Sequence, residues 1–167
     1  MSDCGFCNPT SSLLLVEGRE RLLLAPERLH VAAFDGGHVL VVPRRHLATR
    51  AELLPDEVLE MWRLSLVGAR ALSTLLSAEW FNYQENGNWT VDEPRHRHLH
   101  LHVYGRRRDS TLQPFGEALR FPLKRDLAAS PSVSYSTEQL GFLREYSLRA
   151  AREALQSMAS EEPGARG

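Results

Sequence analysis

Short apolar runs and one long amphipathic segment alternate along the first two thirds of the chain. Four runs, bounded by glycine, proline or charged residues, have the composition of β-strands: residues 22–24, 30–34, 39–42 and 80–84. Asp35-Gly36-Gly37, between the second and third runs, is a hairpin-turn signal. From residue 54 to about residue 78, apolar residues recur at three- and four-residue steps, which predicts a helix with one core-facing stripe. The stripe comprises Val58, Trp62, Leu66, Ala69, Leu72 and Leu76.

The C-terminal third has a different pattern. Residues 110–135 show little periodicity and contain three of the nine prolines, so an irregular segment is predicted there. Ser136 and Gln139 have the spacing of a capping box, which predicts a second helix from about Thr137 to Met158. We therefore predict an α+β fold, an antiparallel sheet packed against a long helix with a C-terminal helix, as a single domain over residues 1–158 followed by a flexible tail, 159–167.

A histidine-rich stretch at residues 95–104 alternates polar and apolar positions. In a β-strand the imidazoles would share one face and Leu99, Leu101 and Val103 the other. The imidazoles in question are His96, His98, His100 and His102. Neutral imidazoles serve as nucleophiles, metal ligands and proton carriers. A solvated histidine-rich edge or an expression tag is the alternative, and the alternation with leucines in mid-chain argues against a tag.

Composition narrows the class of protein. Hydrophobic residues make up 43% and charged residues 25%, as in ordinary globular proteins, and the formal net charge of −1 gives no global attraction to nucleic acid or membrane. Neither a bilayer-spanning apolar run nor a signal-peptide pattern is present, so a cytoplasmic location is expected. Cys4 and Cys7 form a Cys-x-x-Cys pair, which in a reducing compartment suits a redox dithiol or half of a zinc site. A pair of N-terminal thiols without a metal is the alternative.

Two blocks of sequence carry a family resemblance. His98-Leu99-His100-Leu101-His102-Val103-Tyr104 resembles the signature of the histidine triad (HIT) superfamily, three histidines alternating with apolar residues. Upstream, Gly37-His38-Val39-Leu40-Val41-Val42-Pro43-Arg44-Arg45-His46 resembles a second block of that family. The resemblance covers about residues 4–108, with an extension over 110–158. It implies an antiparallel sheet on a long helix and a nucleotide hydrolase or transferase acting at an α-phosphate.

The resemblance also implies roles for individual histidines. In the family the middle histidine of the triad, matched by His100, attacks the α-phosphorus and carries a covalent nucleotidyl intermediate, and a backbone carbonyl orients its ring. His102 would bind phosphate oxygens or shuttle a proton. His38 matches a histidine near the phosphate. The implied catalytic residues are therefore His100, His102 and His38.

Substrate contacts and a metal site follow from the same resemblance. Family members place an amide side chain in the loop before the triad, matched by Asn86 or Asn88, although a turn would use either residue equally well. Asp35 is expected at a ribose hydroxyl. Independently of the resemblance, Arg95 in the loop before the histidines is expected at a phosphate oxygen, because guanidinium groups suit phosphate. Some members hold a zinc with Cys-x-x-Cys and two histidines, and four protein ligands make such a zinc structural. The matching ligands are Cys4, Cys7, His46 and His98, with His96 as the competitor of His98.

The leading hypothesis is an enzyme, a hydrolase or transferase that cleaves a dinucleoside polyphosphate or nucleoside phosphoramidate through a nucleotidyl intermediate on His100. Pro94-Arg95-His96 replaces the Gln-Ser or Gln-Thr pair of hydrolase branches, and the segment between Asp35 and His38 is short. These departures favour the alternative, a catalytically silent, zinc-stabilised module that binds a nucleotide or a partner. A third hypothesis is a metalloenzyme with histidine ligands. The expected partner is a small nucleotide rather than nucleic acid or membrane, and many family members are homodimers.

Overall fold

The computed structural model describes residues 4–86, 97–121 and 133–159. Five strands form one antiparallel sheet in the order β1-β2-β3-β5-β4. The strands are β1 (Leu14–Glu17), β2 (Arg21–Leu24), β3 (His38–Pro43), β4 (Trp80–Gln84) and β5 (Leu101–Arg106). The helices are α1 (Pro55–Leu76) and α2 (Thr137–Ala159), and short 3₁₀ turns lie at Ser11–Leu13, Ala33–Asp35 and Arg50–Glu52. This architecture confirms the predicted α+β class.

One face of the sheet carries the main hydrophobic core. Helix α1 packs on β2, β3 and β5, and α2 packs on α1 and β1. Sheet residues of this core alternate along their strands, with Val39 and Val41 on β3 and Leu101 and Val103 on β5. A Cβ atom at Gly68 of α1 would lie 2.7 Å from Val39 Cγ2, so the missing side chain lets the helix approach the central strand closely.

The opposite face of the sheet carries buried histidines and a second, smaller apolar cluster. This cluster consists of Leu22, Leu24, Leu40 and Val42, and Phe6 packs against it. The buried His102 alternates with the core residues of β5, which confirms the predicted two-residue periodicity of this stretch. The hydrogen-bonded ladder begins at Leu101, so the residues at 98 and 100 lie just before the strand.

The predicted strand at residues 30–34 is wrong, because this segment ends in the 3₁₀ turn Ala33–Asp35. Gly36 and Gly37 follow it with φ angles of 123° and 76°, values that favour glycine. The turn crosses directly over β5, where the Gly105 N–H donates to the Gly37 carbonyl at 2.9 Å. Strand β1, which the sequence pattern does not predict, is an additional strand that lies at the edge of the sheet beside β2.

The predicted core stripe of α1 is correct only in its C-terminal half. Leu72 and Leu76 are buried, as is Ala69, whereas Val58, Trp62 and Leu66 are 38%, 51% and 49% exposed. Their positions drift onto the flank of the helix, beside β4, where the Trp62 ring lies 5.7 Å from the Tyr83 ring. At the other helix, Ser136 and Gln139 bond each other's backbone N–H groups as the capping box predicts.

A buried ion pair joins the sheet to the start of α1. The Arg21 side chain is completely buried and lies 3.3 Å from the carboxylate of Glu57, which also accepts a 2.9 Å bond from Arg45 and a 2.8 Å bond from the Leu54 N–H. Burial by itself would raise the pKa of Glu57, but these donors and the two guanidinium charges lower it to about 2. The carboxylate therefore joins the start of β2 and the chain just after β3 to the start of α1, which it also caps.

The long helices are amphipathic rather than uniformly apolar. Within the described part of the chain, neither of them reaches the length and apolarity that crossing a bilayer requires.

Candidate active site and metal centre

A pocket of about 510 Å³ opens between the histidine-bearing face of the sheet and the N-terminal segment. Histidines form one wall, and residues 4–10 with the end of β2 form the other. The histidines are His30, His38, His100 and His102. Among the described residues that line this pocket there is no lysine or arginine, and Glu27 is the charged one. Within the described lining, an anion would therefore meet hydrogen-bond donors on neutral side chains and the backbone.

His100 is held in a single tautomer. Its Nδ1–H donates to the carbonyl oxygen of His98 at 2.7 Å, so the lone pair lies on Nε2. Burial lowers the pKa of His100, while the hydrogen bond to His98 and the negative charge of Glu85 partly offset that effect. The Phe6 ring packs against the imidazole with ring centroids 4.7 Å apart. This histidine is thus neutral at pH 7 and oriented as a nucleophile requires.

His38 and His102 form a buried pair beside it. His38 Nε2 and His102 Nδ1 lie 2.8 Å apart, so one of these nitrogens donates to the other. Burial and neighbouring histidines lower the pKa of His102 to about 2, and burial also lowers the pKa of His38 well below its usual range. Their outer nitrogens, His38 Nδ1 and His102 Nε2, have no hydrogen-bond partner among the described atoms. Whichever ring donates, one outer nitrogen carries a proton, so the pair holds one N–H without a described acceptor.

The backbone of His38 is fixed from the C-terminal part of the chain. The Tyr135 hydroxyl accepts the His38 N–H at 2.7 Å and donates to the His38 carbonyl at 2.9 Å. Tyr135 precedes α2 and is buried. The segment leading into the terminal helix thus completes the support of this histidine.

The structure also locates two of the predicted substrate contacts. Asn86 donates through Nδ2 to the Tyr104 hydroxyl at 3.0 Å, rather than to the nucleophile candidate. Asp35, expected at a ribose, is buried and accepts hydrogen bonds from the Ser110 hydroxyl and the Thr111 N–H, and its ribose role stays a prediction. Its carboxylate fixes the chain after β5, because the short turn before β3 tucks it inward. Asn88, Arg95 and His96 lie outside the described residues, and their roles stay predictions.

A cluster of four possible metal ligands lies near the C-terminal end of β3. It consists of Cys4, Cys7, His46 and His98. Their ligand atoms all lie within 4.8 Å of one another. The Cys4 Sγ–His98 Nδ1, Cys7 Sγ–His46 Nδ1 and Cys7 Sγ–His98 Nδ1 distances are 3.3, 3.3 and 3.5 Å. Tetrahedral zinc with usual bond lengths separates a sulfur from a nitrogen ligand by about 3.5 Å, so the spacing fits this metal.

The surroundings of the cluster support ligation as well. His98 Nε2–H donates to the Pro43 carbonyl at 2.8 Å, which leaves the lone pair on Nδ1, facing the sulfurs. Burial raises the pKa of the Cys4 thiol, so a thiolate there needs a compensating cation, which a divalent metal supplies. A Cys₂His₂ donor set in which the outer nitrogen of His98 is hydrogen-bonded therefore fits a zinc ion.

Comparison with known proteins decides the family. The family model of the HIT domain matches residues 24–109, more than half of the chain. The chain belongs to the HIT family. No curated protein sequence matches this HIT protein significantly.

Solved HIT structures have the same fold. The Zn-bound histidine triad family protein from Mycobacterium smegmatis superposes with a TM-score of 0.63 at 22% identity, covering 90% of this chain and 97% of that chain. A hypothetical histidine triad nucleotide-binding protein from Sulfolobus tokodaii gives 0.60 at 14% identity, covering 96% and 100%. The diadenosine triphosphate hydrolase of Plasmodium falciparum gives 0.52 at 12% identity, covering 88% and 79%. At these sequence identities the structural similarity shows a shared fold and nothing more specific.

The matched HIT segment does not contain the whole site. Cys4, Cys7 and Phe6 precede it, and Tyr135 follows it. Sequence reasoning missed Phe6, Tyr135 and His30, because none of them belongs to either histidine block. For His30 the signal was its presence as a histidine outside the blocks, eight positions before His38.

Proposed function

We propose that this HIT protein is a nucleotidyl hydrolase or transferase that acts at the α-phosphate of a dinucleoside polyphosphate or nucleoside phosphoramidate. The observation that carries the proposal is the 2.7 Å bond from His100 Nδ1 to the His98 carbonyl, which leaves a neutral, nucleophilic Nε2 beside the pocket. Family membership supports nucleotide chemistry in general. The reaction and the covalent step are inferred from the geometry.

In the first step, the lone pair on His100 Nε2 attacks the α-phosphorus. An N–P bond forms, and the bond from phosphorus to the leaving oxygen or nitrogen breaks with its electron pair. A leaving phosphate departs as an anion, whereas a leaving amine also takes a proton from solvent. The imidazole becomes cationic, and the His98 carbonyl and the carboxylate of Glu85 stabilise that charge.

In the second step, water or another acceptor attacks the phosphorus on the adduct. The N–P electron pair returns to Nε2, and the attacking hydroxyl gives its proton to solvent. Throughout, the His38–His102 pair binds a nonbridging phosphate oxygen through its outer N–H. Burial keeps this pair neutral, so its contribution is a fixed hydrogen-bond dipole rather than a full charge.

We further propose that Cys4, Cys7, His46 and His98 hold a zinc ion. Four protein ligands leave no open coordination position, so the ion supplies a cross-link and not a reactive Lewis acid. The cross-link fastens residues 4–7 to the chain that carries His98. Because Phe6 touches the ring of His100, residues 4–7 also form part of the wall around the nucleophile.

A second copy of this chain is the proposed macromolecular partner. Strand β4 is an edge of the sheet, and next to it the flank of α1 exposes Val58, Leu59, Trp62 and Leu66. An apolar patch beside a strand edge that has no pairing strand among the described residues suits a two-fold contact of both elements. Trp62→Glu should convert a dimer to monomer in sedimentation, whereas Glu138→Gln on α2 should not. A wild-type monomer at high concentration would contradict this proposal.

Intact-mass spectrometry after rapid mixing with a substrate panel tests the catalytic proposal. Diadenosine tri- and tetraphosphate and adenosine phosphoramidate should each be turned over or rejected, and an accepted substrate should leave a nucleotidyl mass on the wild type. His100→Gln should lose both the adduct and turnover while its circular dichroism and zinc content stay unchanged. Saturable nucleotide binding without adduct or product would instead support the silent binding module. Unchanged turnover in His100→Gln would eliminate the covalent mechanism.

A further inference from the structure

His30 lies in the pocket wall and belongs to neither histidine block. Its ring centroid lies 5.1 Å from that of His38 and 5.4 Å from that of His102. It lines the same pocket as His100. His30 takes no part in the two steps proposed for His100.

A hydrogen-bonded chain fixes the tautomer of this imidazole. Asn86 Nδ2–H donates to the Tyr104 oxygen at 3.0 Å, so the one hydroxyl proton of Tyr104 is left for His30 Nδ1, also at 3.0 Å. His30 Nδ1 is therefore the acceptor, and the proton of the neutral ring is on Nε2. Burial, with Arg28 and His100 adding to it, lowers the pKa of His30, which keeps the ring neutral at pH 7. Tyr104 is completely buried, so the chain is preorganised.

An N–H donor in this pocket would help to balance the negative charge of a bound nucleotide. A nucleotide brings negative charge into the pocket, yet its described lining contains no lysine or arginine. Neutral N–H groups of fixed orientation bind oxyanions in water-poor sites without a charge of their own. An Nε2–H on His30, added to the one outer N–H of the His38–His102 pair, would strengthen phosphate binding.

We propose that His30 is a substrate-contacting residue, held by Tyr104 and Asn86 as the Nε2–H tautomer so that it donates a hydrogen bond to a phosphate oxygen of the bound nucleotide. This inference rests on the proposed nucleotide chemistry at His100. It gives Asn86 a positioning role, exerted through Tyr104 and His30 rather than by contact with phosphate.

A metal ion is the competing occupant of these imidazoles. His30, His38 and His102 each offer a nitrogen, and these atoms lie within 4.8 Å of one another. However, the facing nitrogens of His38 and His102 already bond each other at 2.8 Å, shorter than the roughly 3.3 Å between two nitrogens on a tetrahedral zinc. Ligation would break that bond, so the donor role agrees better with the geometry.

Equilibrium binding tests the proposal without depending on turnover. The probes are adenosine monophosphate and adenosine, which differ in the phosphate alone, titrated into the zinc-loaded full chain. His30→Ala should weaken monophosphate binding about 10- to 100-fold, as expected for a lost hydrogen bond to a charged group, and leave adenosine binding unchanged. His30→Gln, whose amide nitrogen reaches the Nε2 position, should stay within about fivefold of wild type, whereas His30→Asn, which reaches only the Nδ1 position, should resemble His30→Ala.

A double-mutant cycle tests the positioning step. Tyr104→Phe removes the hydroxyl that fixes the ring, so it should weaken monophosphate binding in the wild type and have little further effect in His30→Ala. Equal effects in both backgrounds would make Tyr104 merely structural and overturn the positioning role.

The other outcomes are equally decisive. Equal losses for both probes in His30→Ala, no loss for either, or a wild type that binds no monophosphate would overturn the inference. Loss of a second metal equivalent in His30→Ala would make His30 a ligand and overturn it as well. A wild type that binds monophosphate through His30 but never forms an adduct would instead defeat the covalent mechanism and leave this inference standing.

Discussion

Replacing Glu57 by glutamine isolates the charge of the buried ion pair. The amide oxygen can still accept the Leu54 N–H, but the completely buried Arg21 loses its counter-charge. Removing one partner of a buried pair costs roughly 3–5 kcal/mol, because the remaining charge stays desolvated. Arg45 is 49% exposed at the same carboxylate, so Arg45→Met should cost no more than about 1 kcal/mol. Urea denaturation at pH 7 measures both losses.

The pH dependence has a definite sign. The pKa of Glu57 falls from 4.5 to about 2 on folding, so its stabilising contribution is complete above about pH 4.5 and is lost as the pH falls toward 2. The difference in unfolding free energy between wild type and Glu57→Gln should therefore close over that interval. A cost below 1 kcal/mol at pH 7, or a gap that persists at pH 2, would refute the assignment of a strong buried pair.

Three further variants test other parts of the molecule. Cys4→Ser should reduce bound zinc from one equivalent to none by elemental analysis, with His100→Gln as the control that keeps it; a metal lost only in the control variant would contradict the assigned ligands. Gly105→Ala forces a methyl group onto a backbone carbonyl of the crossing turn and should cost at least about 2 kcal/mol, whereas Gly141→Ala, with open space on α2, should stabilise by up to about 1 kcal/mol in thermal unfolding. Tyr135→Phe leaves a buried backbone N–H of a pocket histidine unpaired and should cost about 1–3 kcal/mol in denaturant titration; a neutral effect would mean that the hydroxyl is dispensable.

The parts of the fold that follow from local pattern could be predicted from the sequence. The alternation through residue 103 fixes which side chains of β5 enter the core, and the Ser136–Gln139 spacing fixes the start of α2. Both signals depend on neighbours in the chain. The segment at residues 30–34 has the composition of a strand, but its conformation is decided by the crossing of the glycine turn over β5, a tertiary contact.

The candidate site divides in the same way. Histidines in two compact blocks could be assigned by resemblance, since spacing alone brings them to one face. Phe6 contacts His100 only because residues 4–7 fold back onto the sheet, and Tyr135 bonds His38 although 97 positions of chain separate them. The sequence predicts Asp35 at a ribose hydroxyl, but no local pattern reveals that its carboxylate bonds Ser110 and Thr111.

The clamp of Tyr135 on His38 has a practical consequence for anyone who would shorten this protein. A fragment cut to the family-matched stretch, residues 24–109, would keep every histidine of the two blocks and still lack the hydroxyl that holds the first of them, along with both thiols. The fragment would contain the family motif but not the residues that support it. The presence of the motif in a piece of this chain therefore does not imply a complete pocket.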